Sequence, residues 1–335
     1  MKPLNLEQIK KIVHGAVLVE EGDNGISFFR FTKEQQELYK KSSEDFHTKT
    51  FATAGISLEF QTDSENLSLS VSVSKGSSRK FFTHSVFINS NRVDELSGDI
   101  GEENNVSFEK NFDLGIGMKK VKIVFPWSVE SRLVALKLDD TAKVIPVSKK
   151  CRVLMFGDSI TQGYDAMLPE NTYATKITNR LDAQAINKGI AGEQFFSDLA
   201  SLKDDFEPDF ITVAYGTNDW RHTTKEKFQT ECKKFFENLR KLYPKTKIIA
   251  ISPIWRTDID EKQEFDEPLS FVHDYIKSVS KSISDMAVIE GIDLVPHIED
   301  CYQTDGLHPI DKGYKHYADN LWNTLVSKGL ICDLL

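Results

Sequence analysis

The chain of 335 residues has only four cysteines, Cys151, Cys232, Cys301 and Cys332, and no two stand as a CxxC pair. That spacing offers neither a zinc-binding thiolate cluster nor a redox dithiol, so four reduced thiols are expected. No run of about 18 apolar residues occurs, and no membrane span is expected. The segment Met1–Gly15 carries Lys2, Lys10 and Lys11 but lacks the apolar core of a signal peptide, which leads us to expect a cytoplasmic protein. A basic surplus is missing too: 42 Lys and Arg face 51 Asp and Glu, a net charge of −9. Nucleic acid and anionic membrane are therefore not expected partners, and the clusters Lys149-Lys150-Cys151-Arg152 and Lys233-Lys234 read as solvated edges. The histidines other than His308 show no ligand spacing with cysteines or carboxylates, so neither a metal nor a cofactor is implied.

What is present falls into two halves with different periods. In the first, Leu67, Leu69, Val71 and Val73 alternate with serines, and Ile56, Leu58 and Phe60 repeat the pattern upstream. Period two with small polar residues between predicts half-buried strands. Asp63-Ser64-Glu65-Asn66 supplies turn chemistry between them. Further strands are expected at 85–89, 106–112, 121–125 and 133–138, with little helical pattern, which predicts an antiparallel β-sandwich, jelly-roll-like, over residues 1–145.

After residue 150 the pattern changes. Short apolar strands at 153–156, 183–186, 210–215 and 248–251 alternate with helical periodicity. The spacing of Phe228, Cys232, Phe235, Leu239 and Leu242 predicts a helix ending near Pro244. Helices are also expected at 173–181, 269–286 and 314–326. This order predicts an α/β/α domain with a parallel sheet over 151–335, joined to the sandwich by a linker at 143–150 that contains Pro146.

Four polar clusters sit where strands run into loops. Gly157-Asp158-Ser159 follows the first strand of the second half, Asn187-Lys188-Gly189-Ile190-Ala191-Gly192 the second, and Gly216-Thr217-Asn218-Asp219-Trp220 the third. Asp305-Gly306-Leu307-His308 precedes the last helix. In an open parallel sheet ligands bind beyond the carboxyl ends of the strands, so all four clusters can converge. Taken singly, each has a plain alternative: a helix cap, a turn glycine, a loop pair.

In this order, Gly157-Asp158-Ser159, Gly192, Asn218 and Asp305-x-x-His308 resemble the four sequence blocks of the SGNH/GDSL hydrolases, over about 185 residues from Cys151 onward. The first block reads Gly-Asp-Ser-Ile instead of Gly-Asp-Ser-Leu. The resemblance implies a serine esterase with Ser159 as nucleophile, His308 as base and Asp305 orienting it. It also implies an oxyanion hole built from Ser159, Gly192 and Asn218. These roles are chemically coherent: a serine hydroxyl is a weak nucleophile that needs an adjacent base, and the oxyanion needs donors. Asp158 is read as a brace of the turn at the edge of the substrate pocket. Trp220 is read either as a wall of the acyl or sugar pocket or as packing. The acidic stretch Trp255–Pro268 is read as a solvated loop near the site. The sandwich ahead of the hydrolase resembles the architecture of two-domain carbohydrate esterases. The expected reaction is deacetylation of a sugar or oligosaccharide ester. The alternatives are a lipase or thioesterase, a carbohydrate-binding protein on a hydrolase scaffold, and an interaction domain. The oligomeric state stays open.

Overall fold

The computed structural model describes residues 1–331 and 334. Its first part contains strands β1 (Lys2–Pro3), β2 (Val13–His14), β3 (Leu18–Gly22), β4 (Gly25–Phe29), β5 (Ser57–Thr62) and β6 (Asn66–Lys75). These are followed by β7 (Phe81–Ile88), β8 (Asn91–Asp99), β9 (Val106–Asp113), β10 (Lys119–Val124), β11 (Val129–Leu138) and β12 (Ile145–Pro146). They form two antiparallel sheets, β3-β4-β11-β6-β9 and β12-β5-β10-β7-β8, with β1 and β2 added at β11 and β5. Apolar residues of both sheets, among them Leu58, Phe60, Leu69, Val71, Val121 and Leu136, make a core of their own.

The alternation in β6 holds, but its polar face is not wet. Leu67, Leu69, Val71 and Val73 are fully buried, and Ser68, Ser70, Ser72 and Ser74 are covered as well. The strand is central, between β11 and β9, and longer side chains stand opposite the serines: Lys137, Arg132 and Glu109. Glu109 accepts a bond from Ser68 at 3.1 Å.

Two expectations need correction. The first half carries three helices, α1 (Leu6–Ile12), α2 (Lys33–Ser42) and α3 (Glu44–Thr50). Helix α2 starts at a capping box, Thr32 with Gln35, a signal that is visible in the sequence. The stretch read as a linker is also partly sheet, because β12 pairs with β5.

In the second part, β13 (Cys151–Gly157) leads to α4 (Ser159–Gln162) and α5 (Tyr173–Leu181), then β14 (Ala183–Gly189) and β15 (Phe210–Ala214). Helices α6 (Thr217–His222) and α7 (Lys225–Leu242), β16 (Lys247–Ile251), α8 (Ser270–Ser280), β17 (Met286–Ile289) and α9 (Asp311–Ser327) follow. The strands form one parallel sheet in the order β14-β13-β15-β16-β17. Helix α7 buries Phe228, Cys232, Phe235, Phe236 and Leu239 on one face, as its spacing predicts. The helix expected over 269–286 ends at Ser280 instead. Asp285 adopts a left-handed φ of 49° and turns the chain into β17. Cys151, Cys232 and Cys301 are free and buried; Cys332 lies outside the described residues. Among the described residues no helix is long and apolar enough to cross a membrane.

The two parts share packing. Phe31 and Tyr39, from the first part, belong to the core on the α7 side of the parallel sheet, and Trp127 belongs to the core on its other side. Arg30 is fully buried. Its guanidinium donates to the carbonyls of Lys49 and Ala52 in the first part and to those of Asn187 and Gly189 on β14. A buried charge is tolerated where hydrogen bonds replace its hydration, and four carbonyls meet four of the five guanidinium N–H groups here. Burial still lowers its pKa, to about 9.

Candidate active site

The strand order reverses at β13: the chain crosses from β13 to β14 through α5 on one face of the sheet and from β14 to β15 on the other face; crevices at such a point hold ligands. Ser159 lies just past the end of β13. A Cβ on Gly157 would come within 2.0 Å of Thr161 Oγ1, so a glycine is needed for α4 to pack directly over its own strand. Asp158 caps α4, its carboxylate accepting from the Ile160 N–H at 2.9 Å. It is buried and therefore a brace, not an open pocket wall. Burial pushes its pKa up to about 6, against the pull of the Ile160 N–H, His308 and Arg256.

His308, 149 positions along the chain from Ser159, places Nε2 at 2.7 Å from its Oγ. Nδ1 lies 2.6 Å from Asp305 Oδ2. A carboxylate only accepts, so Nδ1 carries the proton and Nε2 is left to accept from the Ser159 hydroxyl. The other oxygen of Asp305 accepts from the N–H groups of Leu307 and His308, at 2.9 and 3.0 Å. Partial burial opposes the charge of Asp305. The His308 ring and those two N–H groups outweigh it and hold the carboxyl well below the usual range.

Gly192 and Asn218 approach from the neighbouring strands. Gly192 is exposed with a left-handed φ of +86°, and the position where a Cβ would stand meets only Phe46, at 3.6 Å. Asn218, on α6, donates from Nδ2 to the carbonyl of Glu193 at 3.0 Å. One amide hydrogen is spent on that bond and the second is free for another acceptor. Behind the loop, the Glu193 carboxyl takes hydroxyl bonds from Tyr39 and from Tyr215, the latter at 2.7 Å. Burial raises its pKa to about 8. Asp219, accepting from the Phe195 N–H, is raised to about 7 for the same reason.

Trp220 is not a pocket wall. It is 1% exposed, its Nε1 donates to the Glu267 carbonyl at 2.9 Å, and the Arg256 guanidinium lies 5.2 Å from its ring. The segment 255–268 is not simply a solvated loop either. Arg256 is buried against Thr217, Phe265 is in the core, and the Thr257 N–H bonds the Gly306 carbonyl. This segment therefore ties the turn after β15 to the loop carrying His308.

Several residues beside the site come from places with no motif. Gln162 accepts from the Ala191 N–H and donates to the Trp127 carbonyl, joining α4, the Gly192 loop and the sandwich. Lys49 of α3 donates to the Ala191 carbonyl. Tyr164 lies over His308 with ring centres 5.5 Å apart. Arg79, from the loop between β6 and β7, holds both oxygens of Asp165, at 2.7 and 2.9 Å. Only the capping box before α2 could have directed attention to this side. Asp165, Asp305 and His308 each offer a ligand atom within 4.8 Å of the others. A cation there would displace the Arg79 fork and the proton on Nδ1, so the donor set suits a hydrogen-bonded site and does not fit a metal.

These elements define a carboxylic ester hydrolase of the SGNH type, a parallel-sheet domain preceded by a β-sandwich. Residues 155–316, within the parallel-sheet part of the chain, match the sequence profile of the GDSL-like lipase/acylhydrolase family. No curated protein sequence matches the chain. Among solved structures it is similar to a salicylyl-acyltransferase from a tetracycline biosynthetic pathway, at 18% identity and a TM-score of 0.83 over 95% of each chain. It is similar to a family two carbohydrate esterase from Clostridium thermocellum in complex with cellohexaose, at 16% identity and a TM-score of 0.65 over 85% of this chain and 94% of that one. An acetyl xylan esterase from the rumen bacterium Butyrivibrio proteoclasticus shares the fold at 14% identity and a TM-score of 0.63 over 98% of each chain.

Proposed function

We propose that the protein deacetylates a sugar or oligosaccharide ester through Ser159, His308 and Asp305. The observation that carries the reading is the pair of hydrogen bonds running from Asp305 to Nδ1 and from Nε2 to Ser159 Oγ, at 2.6 and 2.7 Å. His308 takes the hydroxyl proton as Oγ attacks the acyl carbon. The carbonyl oxygen becomes an oxyanion and is received by the backbone N–H groups of Ser159 and Gly192 and by the second amide hydrogen of Asn218. The carbonyl of Glu193 holds that amide in place before substrate arrives, so no reorganisation is needed during reaction. The imidazolium then gives its proton to the leaving sugar oxygen, which leaves acyl-Ser159. Water, deprotonated by His308, attacks the acyl carbon and releases the carboxylic acid, restoring the serine.

The sugar part of the reading is supported by likeness to carbohydrate esterases over the whole two-part architecture, sandwich included. Acetylated mono- and oligosaccharides, compared with esters of longer acyl chains, test it. The expected result is acetyl release from the sugars, with rates falling as the acyl chain lengthens. A preference for long chains would point to a lipase or thioesterase. Sugar binding without turnover would point to a binding protein on this scaffold.

A further inference from the structure

Two carboxylates, not one, stand at His308 Nδ1. Asp305 Oδ2 lies at 2.6 Å and Asp165 Oδ2 at 3.8 Å. Asp165 is the more deeply buried of the two, its side chain 6% exposed against 41% for Asp305. It sits at a left-handed φ of 64°, a conformation that disfavours most side chains and persists where surroundings over-determine it. Those surroundings come from the sandwich. Arg79 grips both Asp165 oxygens, and its guanidinium lies 5.3 Å from the centre of the Tyr164 ring that covers His308. Ser78 donates its N–H to the Tyr164 hydroxyl at 3.2 Å. The loop between β6 and β7 therefore reaches the imidazole through two consecutive residues, one aromatic and one charged.

We propose that Arg79 and Asp165 are a positioning pair through which the sandwich sets the catalytic base, holding a second carboxylate that receives the Nδ1 proton when Asp305 turns away. The proposal rests on His308 being the base of the proposed esterase. Asp305 is the exposed partner, on a surface loop, and Asp165 is the fixed one. No bond is made or broken beyond the exchange of one hydrogen-bond acceptor for another. Arg79 has a second effect, since its charge offsets that of Asp165 at the imidazole. The charged and titratable groups facing His308 are Asp305 on its own loop, Asp158 before α4, Asp165 after it, Tyr164 between, and Arg79 from the sandwich. Arg256 lies beyond Asp158.

The test compares Asp305→Asn, Asp165→Asn and the double variant by kcat/KM on a short acyl ester, with pH profiles of Arg79→Ala and Arg79→Ala/Asp165→Asn. Asparagine keeps the shape of aspartate and tolerates left-handed φ, so these variants should fold; thermal melting checks this. If Asp165 substitutes for Asp305, the double variant should fall at least about tenfold below Asp305→Asn alone. Removing the Arg79 charge should move the acid limb of the profile to higher pH, by roughly half a unit or more, and adding Asp165→Asn should move it back. Arg79→Lys, which keeps the charge but not the fork, should leave the acid limb near the wild-type position. Equal rates for Asp305→Asn and the double variant, or an acid limb that Arg79→Ala does not move, would overturn the proposal. Failure of the esterase reading shows separately, as full activity in His308→Ala.

Discussion

The side chain of Asn218 donates to the backbone carbonyl of Glu193 at 3.0 Å, so the turn after β15 fixes the loop after β14 on which Gly192 stands. In the proposed mechanism the same amide holds the oxyanion. Asn218→Ala is expected to lower kcat about 100- to 1000-fold with a much smaller change in KM, because the lost bond strengthens only as charge develops. Steady-state kinetics on a short acyl ester check this. A proportional rise in KM with kcat unchanged would assign Asn218 to ground-state binding.

Asp305 holds the proton of His308 on Nδ1 and leaves Nε2 free to accept. His308→Ala should reduce kcat by roughly ten-thousandfold, the scale on which triad members act. Asp305→Asn should cost less than His308→Ala in stopped-assay comparisons. An Asp305→Asn protein as inactive as His308→Ala would give Asp305 the larger share of the work.

The carboxyl of Glu193 illustrates how burial becomes pH dependence. Its pKa rises from 4.5 to about 8 on folding, so between those values the native state binds more protons than the unfolded chain. Stability must then fall as pH rises through this window, by at most about 1.4 kcal/mol per pH unit from this group. Glu193→Gln removes the titration. Urea unfolding at pH 5.5 and at pH 8 should show a smaller loss of stability on raising pH in Glu193→Gln than in the wild type. Equal losses would mean that Glu193 is already ionised in the folded protein at the lower pH.

Trp127 connects the two parts of the chain. It is 2% exposed, its Nε1 donates to the Ala166 carbonyl, and its ring packs 5.0 Å from Tyr164. Truncation leaves a cavity and an unpaired carbonyl, so Trp127→Ala should destabilise the protein by about 3–5 kcal/mol. The sandwich loop would also lose its seat against α4. Denaturant midpoints measure the first effect, and kcat/KM at low temperature, where the variant is folded, measures the second.

The parallel sheet was legible because its strands are apolar runs and its helices have clean periodicity, as in Phe228 to Leu239. Three of the four clusters were legible because each lies just past the end of a strand, where backbone topology alone brings residues together; the fourth, Asp305–His308, lies in the loop before α9 and was legible from its spacing alone. Helices α2 and α3 were hidden by composition: their mostly polar sequences, such as Lys33–Ser42, carry few apolar positions, and their burial comes from the hydrolase domain. The fate of Trp220 could not be read, because whether an indole at a helix start faces a cleft or the core depends on Arg256 and Glu267, distant in the chain. Arg79 and Asp165 carry no motif either. Their meeting depends on how the sandwich docks, and docking leaves no period in the sequence.

The account stands on an activated serine, and a fluorophosphonate probe with mass-spectrometric site mapping addresses it directly. The native protein should take up one equivalent of label at Ser159 and lose ester hydrolysis in proportion, while Ser159→Ala takes up none and hydrolyses nothing above background. Hydrolysis that survives in Ser159→Ala, or label found on another residue as activity disappears, would contradict it.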